Sequence, residues 1–121
     1  MLTINPKSIK RGEIWNVDLN PVIGQEINKI RPCVVVNTDA IGILAVKLIA
    51  PITGWKDIFE NRIWHVKIIP DASNNLSKIS AVDALQLRGV SIERFKSKKG
   101  MLSSDIMEEI ATAIAAIVEY R

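Results

Sequence analysis

From Ile14 to Leu19 apolar and polar residues alternate. Trp15, Val17 and Leu19 fall on one face, and Asn16 and Asp18 on the other, so the pattern predicts a half-buried strand. Residues 32–36 are apolar without alternation, as in a central strand, and Pro32 belongs at its first position because it has no N–H for a ladder. Residues 43–52 predict a third strand ending near Pro51, residues 63–69 a fourth, and residues 80–87 a fifth. Asn20-Pro21 with Gly24, Asn37-Thr38-Asp39 with Gly42, and Asn74-Asn75-Leu76-Ser77 are turn punctuation. Residues 20–30 then form a polar loop, and residues 53–62 a second loop with exposed aromatics. Residues 91–95 read as a short helical turn. Clear helical period occurs only at the C-terminus, where Ile106, Ile110, Ala113, Ile114 and Ile117 recur at steps of three and four. Ser103 or Ser104 can cap that helix, and Asp105 and Glu108 suit the positive end of its dipole. The expected architecture is mainly β with α: a small five-stranded β-barrel and a C-terminal helix.

The chain has 121 residues, of which 48% are hydrophobic. That is one domain, residues 1–121, with enough apolar side chain for a single core. Lys and Arg exceed Asp and Glu by a formal net charge of +3, a mild bias toward an anionic partner. The one local cluster, Arg94, Lys96, Lys98 and Lys99, reads as a solvated edge before the last helix. Cys33 is the single cysteine and lies in an apolar run, so it reads as a small core residue. No run has the length of a membrane span, and the N-terminus lacks the order of a signal peptide. A cytoplasmic protein with no membrane partner is expected.

Several chemistries are poorly supported. The chain has one histidine, no His/Cys/Asp/Glu set at metal-ligand spacing, no Gly-x-Ser-x-Gly elbow and no P-loop. Neither a metal nor a cofactor is expected.

Five segments carry a resemblance. They are Arg11-Gly12-Glu13-Ile14-Trp15-Asn16-Val17-Asp18-Leu19-Asn20-Pro21, Gly24-Gln25-Glu26, Arg31-Pro32-Cys33-Val34-Val35-Val36, Ala50-Pro51-Ile52-Thr53 and Val82-Asp83-Ala84-Leu85-Gln86-Leu87-Arg88. In order and spacing they resemble the MazF/PemK toxin family, endoribonucleases of bacterial toxin–antitoxin pairs, from about Lys10 to the end. The resemblance implies an SH3-like β-barrel, a homodimer, a cognate antitoxin, and metal-independent cleavage of single-stranded RNA at a short sequence. A rival on the same barrel is a non-enzymatic toxin of the gyrase-poison type.

RNA cleavage by internal transesterification is compatible with the missing motifs, since the substrate's 2′-hydroxyl is the nucleophile. The protein must orient that oxygen and stabilise charge on phosphorus oxygens. An arginine fork suits the second task. The resemblance places a catalytic role on Arg31, in its Arg-Pro step, and on Thr53, at its strand end. A threonine hydroxyl can donate to a phosphoryl oxygen but is a poor base. Some family members use an arginine and an aspartate just before a glutamine as acid and base. Aligned on Gln86, those positions hold Asp83 and Leu85, so Asp83 is either a base or a strand-end acid paired with a nearby Arg or Lys.

Asn20, Gln25, Glu26, Trp55 and Gln86 are the candidate substrate contacts. Trp55 and Phe59 can stack unpaired bases, or they can plug a partner peptide or the dimer. Alternation places His65 with Ile63 and Lys67 on an exposed or interface face.

Overall fold

The alternation at residues 14–19 forms strand β1 (Glu13–Asp18), with Trp15 and Val17 buried on one face and Ile14 on the other. The structure, a computed structural model, describes residues 4–21, 23–26 and 29–120. Six further strands follow: β2 (Ile30–Val35), β3 (Val46–Gly54), β4 (His65–Ile68), β5 (Ser80–Asp83), β6 (Arg88–Ser91) and β7 (Phe95–Met101). The chain ends in one α-helix, α1 (Ser104–Ile117). All strand pairs are antiparallel, in the order β4-β5-β3-β2-β1-β7, with β6 paired to the first half of β3.

Among the described residues seven strands replace the expected five. Pro51 does not end the third strand, which runs on to Gly54. Along one edge β3 pairs with β6 from Val46 to Ile49 and with β5 from Ile52 to Gly54. Pro51 falls in the gap between these ladders, where a residue without an N–H interrupts neither. The expected fifth strand is broken in two. At Asp83 the side chain accepts a hydrogen bond from Leu85 N–H (3.1 Å) and starts the 3-10 turn Ala84–Gln86, after which β6 begins. The basic run read as a solvated edge is largely β7, a strand on β1 whose lysines point outward. The short turn expected near residue 92 is present as the 3-10 turn Ile92–Arg94.

Both faces of the sheet are buried. Ile14, Val34, Ala50, Ile52, Val66 and Val82 pack with Met107, Ile110 and Ala113 of α1. The opposite positions, Trp15, Val17, Cys33, Val35 and Ile49, pack with Ile9, Val90, Ile92 and Phe95. Ser103 caps α1 by accepting from Ile106 N–H at 3.3 Å.

Among the described residues no ladder joins the outer strands β4 and β7. The turn at residues 71–75 bridges them instead. Asp71 Oδ1 accepts from Ser73 N–H (2.9 Å) and Asn74 N–H (2.7 Å), which shapes the turn. Met101 N–H then donates to Ser73 O (3.0 Å), and Asn75 Nδ2 donates to Lys99 O (2.8 Å). The approach is so close that a Cβ on Gly100 would lie 2.6 Å from the carbonyl oxygens of Ser73 and Asn74. No helix among the described residues is long and apolar enough to cross a membrane.

Candidate functional site

In the β2–β3 ladder Cys33 stands opposite Pro51. Two residues further along each strand, the same antiparallel register places Arg31 opposite Thr53. By strand alternation Arg31 shares a face with Cys33 and Val35, whose side chains are in the core below. Arg31 and Thr53 are both half-buried at the mouth of that face. They line one cleft of about 200 Å³ together with Ser77, Lys78, Ser80 and Lys99. The lining holds three cations and no carboxylate. The structure therefore brings together the two residues given catalytic roles by resemblance, in a setting that favours an anion.

A second cleft, of about 190 Å³, is lined by Pro51, Leu19, Glu26, Leu85, Gln86 and Arg88 among others. Gln86 Nε2 donates to Gln25 O at 3.5 Å, so the 3-10 turn after β5 touches the first loop. Glu26 lines this cleft, and its Oε1 accepts from Ile23 N–H at 2.7 Å within the loop. Asn20 Oδ1 accepts from Lys29 N–H at 3.2 Å. Two arginines fix the entry to that loop. Arg88 donates to Leu19 O at 3.3 Å, and Arg94 donates to Asp18 O at 3.1 Å and to Asn20 O.

Trp55 is placed elsewhere. It lines a groove of about 840 Å³ between the 55–63 loop, β4 and α1, and does not line the Arg31 cleft. Its ring meets Phe59 edge-on at 5.6 Å and lies under Lys67 Nζ at 4.8 Å. Phe59 is buried, not exposed as expected, and stacks on His65 at 3.7 Å between centroids.

His65 departs from its expected exposed position. Its side chain is only 3% exposed, because Phe59 folds over it. Its Nε2 lies 3.8 Å from Asp83 Oδ2, and its Nδ1 is buried without a hydrogen-bond partner. Burial pushes its pKa below the ordinary histidine value, against the pull of Asp83, and the Arg62 charge lowers it further. Asp83 thus faces a histidine where an Arg or Lys was expected.

Three basic residues at the clefts were not singled out as site residues. Lys99 sat in the charge run, and Arg88 closed the last matched segment. Lys78 had no signal in the sequence, since only the fold brings it to β3. Cys33 is a core residue as expected. Burial raises its thiol pKa to about 12, partly offset by the Arg88 charge. Among the described residues no three His, Cys, Asp or Glu side chains gather as a metal-ligand set.

The chain is similar to several known proteins. It is 28% identical to endoribonuclease MazF9 of Mycobacterium tuberculosis over 109 residues, covering 88% of this chain and 92% of that protein. The crystal structure of MazF from Deinococcus radiodurans superposes with a TM-score of 0.75 at 18% identity, covering 91% of this chain and 96% of the other. The Mycobacterium tuberculosis toxin MazF-mt6 superposes at 0.72 with 20% identity, covering 90% and 98%. A mycobacterial endoribonuclease solved in complex with its cognate antitoxin also superposes at 0.72, with 18% identity, covering 93% and 96%. Residues 10–118 match the family described as the PemK-like, MazF-like toxin of type II toxin–antitoxin systems, and with that match over most of its length the chain belongs to this family.

Proposed function

We propose that this toxin is an endoribonuclease that cleaves single-stranded RNA by attack of the substrate's own 2′-hydroxyl, with Arg31 and Thr53 at the scissile phosphate. The observation that carries the reading is that both line one cleft whose charged side chains are all cations. Family membership and the endoribonuclease among its relatives support it.

The 2′-hydroxyl loses its proton and bonds to phosphorus, the bond to the 5′ oxygen breaks, and that oxygen takes up a proton. Negative charge builds on the non-bridging oxygens. The Arg31 guanidinium supplies a two-pronged donor to those oxygens. The Thr53 hydroxyl donates to the same phosphate. Asp83 already caps the 3-10 turn and faces His65, and it does not line the cleft. It serves to hold Gln86 in place. Gln86 and Gln25, joined to each other, read the nucleotide beside the cut. Asn20 and Glu26 shape the loop that carries Gln25. Trp55 meets a more distant part of the RNA or of a protein partner along the α1 groove.

The protein works as a homodimer and is silenced by an antitoxin. An acidic antitoxin segment would best do this by placing carboxylates where phosphates stand.

The test is to incubate the purified protein with mixed-sequence RNA in EDTA and map the product ends. A 2′,3′-cyclic phosphate or its 3′-phosphate and a 5′-hydroxyl are expected, and a 2′-deoxy substitution at the cut should leave the strand intact. Cleavage of the deoxy strand, or loss of activity in EDTA, overturns the mechanism.

A further inference from the structure

Arg31 and Thr53 are the residues given to the reacting phosphate, and nothing in the reaction requires further cations in their cleft. Yet Lys78 and Lys99 both line it. Neither makes an ion pair among the described residues, whereas Lys98, next in sequence, lies 2.6 Å from Glu13. Ser77 and Ser80 line the same cleft, and Ser80 Oγ donates to Lys78 O at 2.9 Å.

The placement of each lysine is specific. A Cβ on Gly54 would lie 3.0 Å from both Cε and Nζ of Lys78. The ammonium itself, and not only its stem, therefore rests against the strand end next to Thr53. Lys99 is carried to the cleft by β7, which is clamped there by the turn at residues 71–75 through Asn75 Nδ2 to Lys99 O and through the close approach at Gly100. Two ammonium groups without an ion pair among the described residues, delivered by separate elements, thus stand in the same cleft as Arg31.

We propose that Lys78 and Lys99 bind the backbone phosphate next to the scissile one, so that the cleft grips two consecutive phosphates of single-stranded RNA. This rests on the ribonuclease reading for the identity of the first phosphate. Arg31 acts on the phosphate that reacts, and the two lysines hold its neighbour as point charges. Phosphate contacts of this kind set register on the strand without reading bases. The subsite therefore contributes affinity to every sequence and leaves choice of sequence to other contacts.

The experiment measures binding of a mixed-sequence single-stranded RNA that is fully 2′-O-methylated, so that no cut can occur, across roughly 50–200 mM salt. Lys78→Ala and Lys99→Ala should each weaken binding several-fold and each lower the slope of log affinity against log salt by about 0.7, the value for one phosphate contact on a single strand. Lys78→Arg and Lys99→Arg should restore the slope. On cleavable RNA the alanine variants should raise KM more than they lower kcat, while Arg31→Ala should act on kcat. Gly54→Ala, which keeps every charge but displaces the Lys78 ammonium, should weaken binding as well. Unchanged slopes in both alanine variants overturn the subsite. So does an effect confined to binding of an acidic antitoxin peptide, which would assign the lysines to the protein partner. A wild-type protein that cuts no RNA overturns the ribonuclease reading, while the salt slopes still report on the subsite.

Discussion

His65 Nε2 lies 3.8 Å from Asp83 Oδ2, and the two residues stand opposite each other in the β4–β5 ladder. Asp83 Oδ1 meanwhile caps the turn that carries Gln86, and His65 stacks on Phe59 of the second loop. One contact therefore ties the aromatic loop to the turn that carries Gln86. The charged groups acting on the imidazole are Asp83, which favours its protonation, and Arg62, which opposes it along with burial.

The first prediction follows from that balance. The folded pKa of His65 lies below its ordinary value of 6.5, so between the two values the unfolded chain binds more protons. The stability contributed by neutral His65 is present above about pH 6.5 and is lost as pH falls through the folded pKa. Urea midpoints measured from neutral pH downward should fall in this window, and His65→Phe, which can still stack on Phe59, should flatten the decline. Equal slopes for the two proteins would show that another group titrates.

Arg31→Ala should cost roughly 10²–10³ in kcat, by analogy with loss of one oxyanion donor. Thr53→Ala should also lower turnover. His65→Ala should leave turnover within about a few-fold, because His65 does not line the cleft. Abolished cleavage in a still-folded His65→Ala protein would return the histidine to the chemistry.

Glu13 offers a stability test remote from the cleft. Burial alone would raise its carboxyl pKa, but contacts with Lys98, Lys10 N–H and Trp15 Nε1 hold it below the ordinary value. Its Oε1 accepts from Lys10 N–H at 2.7 Å and from Trp15 Nε1 at 3.2 Å. Glu13→Ala leaves the buried indole N–H unpaired and should destabilise by about 2–3 kcal/mol. Glu13→Gln keeps an acceptor and should cost less. Denaturant melts that rank the two variants the other way would contradict this geometry.

Cys33 should resist iodoacetamide in the native protein, since it is buried and its thiol stays neutral up to about pH 12. Labelling should become fast only in denaturant. Rapid labelling under native conditions would mean that β2 is open to solvent.

Local pattern carried the strands and the helix whose signals lie in neighbouring residues. The alternation around Trp15 and Val17, and the period from Ile106 to Ile117, needed no tertiary information. Three features did need it. β7 reads as a charge run because its polar side chains face out, and only pairing with β1 makes it a strand. Asp83 breaks the fifth strand through one side-chain cap. His65 is buried by Phe59, a contact no periodicity encodes. At the candidate site, Arg31 and Thr53 were singled out from matched segments, and the fold brings both to one cleft. Lys78 and Lys99 were not, because each reaches the cleft through contacts between distant parts of the chain.

The turn at residues 71–75 has a consequence for when the protein becomes harmful. Lys78 lies just beyond it, and the strand that bears Lys99 is fastened by it. Arg31 and Thr53 belong to β2 and β3, which lie early in the chain, whereas Lys99 belongs to β7. On the two-phosphate proposal, the second contact waits until residues near 100 have been made and docked under the turn. Any side chain at Gly100 would meet the carbonyl oxygens of Ser73 and Asn74 at 2.6 Å, so a substitution there should loosen β7 from the turn and, on the two-phosphate proposal, weaken RNA binding several-fold with Arg31 and Thr53 untouched.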